Sequence, residues 1–511
     1  MTVGSPPDLQ REHGAVVRNA RSAVLLRTLS GAAVALATPG FAALLAVWPT
    51  LTLLVVGLVL VAVLAWFAPP FALVAVVLLY GLEGVIKVGL TPELDGVGVT
   101  PEAVGAAVID VASLVAVVGL ARQDRGRTLL AIWHNAGLLT RIALGMLAGW
   151  LALSLVQIPL SGDLGTALAG FRLTQGYVLF AGAGAVLLAR SRPEHVVATL
   201  VGVLLIIAAY AALRAVIGPS DGERLAAFSR STTPLVPSEN SVIFRNVGSI
   251  SSAIGLASFL VPAGVFLFAL GLSLARMRLA AWIGVALIVF ALVATHVRAS
   301  LLALALGVIC AAALFTFTSG LAKRAKVALA AASVPLLIFL IVFGALVPTA
   351  LSGGSPEVQL RSSGVLHPLA DPSVEQRLER WGDALDVIRA NPIGTGLGTV
   401  GSATIKEQGT GTFVDNSYLK IFQEQGPLGG IIFLGALLTT LTAAAVGVGQ
   451  RDQPRRAIGV AALVGGISFL ALAMSSEAIE QPGKVLGWLL LGVALWAAGM
   501  PSRGSTVEGA A

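Results

Sequence analysis

Residues 196–217 read VVATLVGVLLIIAAYAALRAVI, an apolar run broken by one charge, Arg214. A helix of about 20 such residues crosses the hydrocarbon core of a bilayer. The same reading fits residues 51–67, LTLLVVGLVLVAVLAWF, and residues 327–347, VALAAASVPLLIFLIVFGALV. Working outward from these runs, the roughly 20-residue criterion gives about 14 spans. They centre near residues 38, 59, 77, 111, 147, 180, 206, 261, 287, 308, 337, 438, 466 and 492. The first three are separated only by Trp48-Pro49 and Pro69-Pro70, so the expected number is 12 to 14. Composition agrees: 56% of the 511 residues are hydrophobic and 12% charged, against about 25% charged in soluble domains. The expected fold is all-α and polytopic.

The formal charge of +7 does not point to nucleic acid, because the basic residues occupy short connections between spans. With the N-terminus inside, every cytoplasmic connection is basic: Arg122/Arg125/Arg127, Arg190/Arg192, Arg276/Arg278, Lys323/Arg324/Lys326 and Arg451/Arg455/Arg456. The opposite side holds Glu93/Asp95/Glu102, Asp163, Asp221/Glu223 and most acids of residues 351–424. Both termini are therefore expected in the cytoplasm, the chain being a multi-pass protein of the cytoplasmic (inner) membrane. Residues 1–27 read as a cytoplasmic tail rather than a cleaved signal, since the apolar run past Ala35-Leu36-Ala37 continues to Trp48. The remaining divisions are spans in 28–217, an outer loop 218–247, spans in 248–350, a large outer loop 351–425, spans in 426–500, and a cytoplasmic tail 501–511. Cys310 is the only cysteine and the five histidines are scattered, so neither a disulfide framework nor a zinc spacing is present.

Loops beyond about 15 residues usually carry function or are irregular. Residues 229–238, rich in Ser, Thr and Pro, read as irregular. In the larger loop, Asp371-Pro372 supplies a helix start. Val374, Leu378, Trp381, Leu385 and Ile388 recur at helical spacing, and Asn391-Pro392 stops the run. One amphipathic helix is expected there.

Four places could carry chemistry. Arg298, with His296, stands where two spans are joined by almost nothing; it either snorkels or offers its fork of donors to a phosphate. Arg377 and Trp381 share a helical face and either stack on each other or line a site with Arg380. The segment Asn391-Pro392-Ile393-Gly394-Thr395-Gly396-Leu397-Gly398 superficially matches a dinucleotide fingerprint, but no βαβ unit surrounds it. Its glycines, Gly396 among them, suit close backbone approach to a ligand or another helix. Asp415, in Val414-Asp415-Asn416-Ser417, could take a proton or orient a hydroxyl and could also cap a helix; the two roles are compatible and position alone does not separate them. Glu83 and Lys87 are expected to pair, while Asp110 and Arg214 join helices or line the site.

The order of these elements resembles the O-antigen ligase and polymerase family of bacterial membrane glycosyltransferases. An outer arginine between two spans, Arg298, is followed by R-x-x-x-W (Arg377 to Trp381) and P-x-x-G-x-G-x-G (Pro392 to Gly398). Then come D-N-x-x-L (Asp415 to Leu419) and E-x-G-x-x-G (Glu424 to Gly429). The likeness covers roughly residues 220–430. It implies transfer of a glycan from a polyprenyl diphosphate carrier to a glycan or lipid-linked acceptor on the outer face of the cytoplasmic membrane, without metal or other cofactor. It implies catalytic roles for Asp415, Arg298 and Arg377. It also implies substrate contacts from Arg224, Arg245, Arg380, Trp381, Asn416, Gly396 and His296. Ligases of the family carry histidine where this chain has Asp415, which weakens the ligase reading and leaves the base open between Asp415, His296 and His367. Two other classes remain: a lipid or sugar transporter or flippase, which predicts paired halves with broken helices, and a structural subunit of an envelope assembly. Convergence of Arg298, Arg377 and Asp415 on one cavity favours the enzyme.

Overall fold

The computed structural model describes residues 47–94, 98–189, 191–223, 235–237, 242–244, 246–250, 252–318, 372–403, 413–449 and 454–499. Among these residues ten helices are long and apolar enough to cross a membrane, or eleven if one bent pair counts as a span. The protein is thus an all-α polytopic membrane protein. The expected spans near residues 38 and 337 lie outside the described residues; each other expected centre falls within a helix.

The N-terminal part comprises α1 (Pro49–Phe67), α2 (Pro69–Gly81), α3 (Glu83–Glu93), α4 (Pro101–Asp124), the short α5 (Arg127–Asn135) and α6 (Leu138–Gln157). Then follow α7 (Leu164–Leu173) and α8 (Leu179–Ala189), which together form one span, and α9 (Pro193–Ile217). The expected span near residue 77 is not straight. It is the pair α2 and α3, bent by 64°. Gly81 lies so close to Ile207 that a Cβ would meet its side chain at 2.1 Å. The amides freed at the start of α3 find an acceptor, Gly84 N donating to Ser249 O at 2.8 Å. Glu83 and Lys87 form the expected ion pair on α3.

The C-terminal part holds α10 (Ala253–Ser273), α11 (Arg278–Ala294), α12 (Arg298–Thr318), the loop helix α13 (Pro372–Ala390), α14 (Ser417–Gly449), α15 (Arg455–Ala473) and α16 (Gly483–Gly499). α10 is apolar all round and almost wholly buried, packed against α11, α12, α15 and α16, as expected of a helix with no lipid-facing side. The loop expected to be irregular carries a two-stranded antiparallel ribbon, β1 (Leu235–Pro237) and β2 (Val242–Phe244), with Val236 opposite Ile243. α13 starts and stops where Asp371-Pro372 and Asn391-Pro392 predict.

Contacts between the connections sort the bundle into two ends. At one end Asn246 N donates to Ala294 O (3.1 Å), Ser252 Oγ pairs with Gln481 Oε1 (3.4 Å), and Leu397 N donates to Ser161 Oγ (3.3 Å). At the other, Arg122 lies 3.5 Å over the Trp66 ring and Arg455 4.7 Å over Trp496. The connections rich in acid thus meet at one end and the basic ones at the other.

Candidate functional site at the polar end of the bundle

Asp415 adopts a left-handed backbone, φ 52°, which costs a non-glycine residue roughly 1 kcal/mol or more. That turn bears on the cap reading alone. The cap of α14 is Asn416, whose Oδ1 accepts from Tyr418 N (2.9 Å) and Leu419 N (3.1 Å). Asp415 points elsewhere, its Oδ2 accepting from Arg380 Nη1 at 2.6 Å. A carboxylate has further acceptor positions, and about a quarter of this side chain is exposed. It can orient a hydroxyl or take its proton.

Trp381, one residue on from Arg380, donates its indole N–H to Val414 O at 3.0 Å. With Ala384, Val400, Val414 and Leu419 it forms a small apolar core between α13 and α14. Among the described residues the arginines lying over tryptophan rings are Arg122 and Arg455, so Trp381 acts here as an anchor for the 413–417 strap. Arg377, one turn earlier on α13, is half-buried.

The glycine-rich turn approaches helices. Gly394, Gly396, Gly398 and Gly401 all have positive φ. A Cβ on Gly394 would lie 2.3 Å from Glu424 O, and one on Gly398 2.2 Å from Thr166 O of α7. The reason lies in α14, which breaks at Gly426 (φ 70°, ψ 175°) before Pro427. Proline lacks an amide hydrogen and cannot satisfy the carbonyl four residues back. The freed carbonyls are taken by the turn: Thr395 N donates to Gln423 O (2.9 Å) and Gly396 N to Glu424 O (3.0 Å). From the other side Gln425 holds α6, accepting from Trp150 Nε1 (2.7 Å) and donating to Ser154 Oγ (2.9 Å).

Beneath the strap lies a buried charge cluster that sequence reading missed. Lys420 Nζ donates to Glu424 Oε1 (2.8 Å) and to the Val400 carbonyl, and forms an ion pair with Glu480 Oε1 (2.7 Å). Glu480 Oε2 also accepts from Ser402 N (3.0 Å), and Glu477 Oε1 from Val414 N (3.2 Å). The i, i+4 spacing of Lys420 and Glu424 was the available signal; Glu477 and Glu480 join through tertiary packing alone. Burial and the neighbouring Glu480 charge push the Glu477 carboxyl well above its ordinary range. Burial also acts against ionised Glu480, but the Lys420 charge and hydrogen bonds from Lys420 and Ser402 hold it below that range.

His296 (φ 53°) belongs to a separate cleft of about 130 Å³ at the same end, lined also by Arg214, Glu223, Asn246 and Val293. Arg214 pairs with Glu223 there, and Asp110 pairs with Arg172 and accepts from Tyr177 at 2.9 Å. Arg298 is the half-buried first residue of α12, two residues beyond His296. The structure thus brings together Arg380, Trp381, Asp415 and Asn416, while Gly396 sits against α14 at Glu424. Arg298 and His296 stand together at the α11–α12 joint. Arg224, Arg245 and His367 lie outside the described residues.

The polar side chains of the 413–417 strap and of the loop helix thus gather at one end of a polytopic helical bundle. Residues 263–434 match the family model described as O-antigen ligase. That segment is an O-antigen ligase-like domain, and the activity it supports is that of an O-antigen ligase-like membrane glycosyltransferase. Arg298, Arg377 and Asp415 fall within the match; Arg224, Arg245, Glu477 and Glu480 fall outside it. No curated protein matches the chain.

Proposed function

We propose that this protein transfers or polymerises a polyprenyl-diphosphate-linked glycan at the outer face of the cytoplasmic membrane. In this reading Arg298 and Arg377, assisted by Arg224, Arg245 and Arg380, hold the diphosphate. Fixed guanidinium groups stabilise the negative charge that develops as the glycosidic bond to the carrier breaks, so no metal is required. Asp415 accepts the proton of the acceptor hydroxyl as that oxygen attacks the anomeric carbon. Trp381 and Asn416 fix the strap that carries it, and the apolar surface between spans holds the polyprenyl chain. The acceptor is a second carrier-linked glycan or a lipid-linked core.

The observation supporting this most is that Asp415, within the O-antigen ligase match, is turned away from capping α14 and set on Arg380. The test is transfer from a polyprenyl-diphosphate oligosaccharide by purified protein in nanodiscs containing a chelator. Turnover with chelator present is expected. Turnover that appears only when magnesium or manganese is restored would overturn the metal-free reading, and no turnover with either acceptor class would overturn the whole.

A further inference from the structure

We propose that Glu477 is a positioning residue for Asp415: from the 474–482 connection it holds the Val414 amide and so fixes the turn that aims Asp415 at Arg380. The inference rests on the reading of Asp415 given above, but its geometry stands alone. Val414 is gripped on both sides, its N–H by Glu477 Oε1 (3.2 Å) and its carbonyl by the Trp381 indole (3.0 Å). The residue after it carries the left-handed strain. Such a conformation persists only where its surroundings over-determine it, and these two bonds supply that constraint.

Charge counting says in which form Glu477 works. Glu424, Glu477 and Glu480 are all buried with Lys420. Lys484, itself buried, donates to Glu480 O at 3.2 Å. Lys420 is the ammonium group paired with these carboxylates, Lys484 donating to backbone carbonyls. Burying all three carboxyls ionised therefore leaves negative charge unpaired, which is costly. A proton on Glu477 reduces it. A Cβ placed on Gly401 would lie 2.8 Å from Glu477 Oε2 and 2.9 Å from Glu480 Oε2. Both oxygens thus line the space beside Gly401, and a proton on Glu477 relieves the repulsion between the two carboxylates there. The raised Glu477 carboxyl and the depressed Glu480 agree with that assignment. An amide at position 477 reproduces this donor–acceptor pattern; a methyl does not.

The experiment joins hydrogen exchange to kinetics in full-length protein. In Glu477→Ala, exchange of the 413–417 amides should rise about tenfold, the scale of one lost hydrogen bond. Its kcat should fall by about 10²-fold, as for a reacting group misplaced by about 1 Å, with KM unchanged. Glu477→Gln should retain both exchange protection and kcat. In an Asp415→Asn background, Glu477→Ala should cause no further loss. If Glu477→Ala does not fold, Glu477→Asp replaces it: withdrawing the carboxyl by one methylene should deprotect the strap while Gln keeps it protected. Unchanged exchange, or faster exchange with unchanged kcat, would overturn the proposal. If Asp415→Asn turned over normally, the catalytic role of Asp415 would fail by itself, and the exchange measurement would still decide whether Glu477 sets the strap.

Discussion

Arg380 on α13 and Asp415 at the mouth of α14 are joined by a 2.6 Å hydrogen bond across 35 residues of chain. This contact ties the loop helix to the point where the chain re-enters the membrane. It leaves the capping of α14 to Asn416, so the two neighbours can be separated by mutation. Asp415→Asn is expected to lower glycan transfer by about 10²–10⁴-fold, the range for losing a positioned base, without changing thermal stability. Asn416→Ala should instead destabilise by about 1 kcal/mol, the usual value of a cap. Near wild-type turnover by folded Asp415→Asn would move the base to His296 or His367.

The arginines should respond to shape as well as charge. Arg298→Lys keeps a cation but loses the fork that meets two phosphate oxygens. Arg298→Ala or Arg377→Ala should cost about 2–4 kcal/mol of transition-state stabilisation, the scale for one preorganised donor. Full activity in Arg298→Lys would show that only a point charge is needed there.

Lys420 should be structurally indispensable. Removing one partner from a buried ion pair costs about 3–5 kcal/mol, because the remaining charge is left unpaired. Lys420→Met is therefore expected to unfold readily in detergent. Gly401→Ala should be damaging too, since its Cβ would fall 2.8 Å from Glu477 Oε2 at a backbone φ of 82°. Unfolding transitions matching wild type in both variants would contradict the cluster's role.

Stability should depend on pH through Glu477. A folded carboxyl raised above its unfolded value contributes stability that is complete below the ordinary carboxyl range, and that stability is lost as pH rises through the raised value. Glu480, held below that range, contributes above it and loses its contribution only in stronger acid. Glu477 faces Glu480 and Lys420, with Glu424 on the far side of Lys420 and Lys484 on the Glu480 backbone carbonyl. From mildly acidic to alkaline pH the melting temperature should therefore fall in wild type and stay flatter in Glu477→Gln. Parallel curves for the two proteins would remove the proton from Glu477.

Sidedness has its own test. In a Cys310→Ala background, Ser362→Cys should react with an impermeant thiol reagent in intact cells and Ser502→Cys should not. The reverse pattern would invert the topology.

The spans among the described residues were legible because apolar runs of membrane length admit few other readings, and α13 because Pro372 and Asn391-Pro392 bracket a helical period. The bend between α2 and α3 was not legible. It depends on Gly81 meeting Ile207, more than a hundred residues away in the chain. At Asp415-Asn416-Ser417 three good capping residues stand in a row, and only the left-handed backbone at Asp415 selects Asn416. Glu477 and Glu480 sit in a short connection between spans, where acids normally face water. Nothing local marks them as buried partners of Lys420.

The break in α14 has a consequence for biosynthesis. Thr395 and Gly396 leave the ribosome before Gln423 and Glu424, yet they supply the amides that complete the interrupted helix. A span inserted before that turn has folded back carries two bare carbonyls at its entrance, each worth several kcal/mol away from water. Maturation of the C-terminal half is thus ordered. The glycine turn must seat on the break before the last spans can settle, and a substitution such as Thr395→Pro would be felt as failed assembly rather than as altered chemistry.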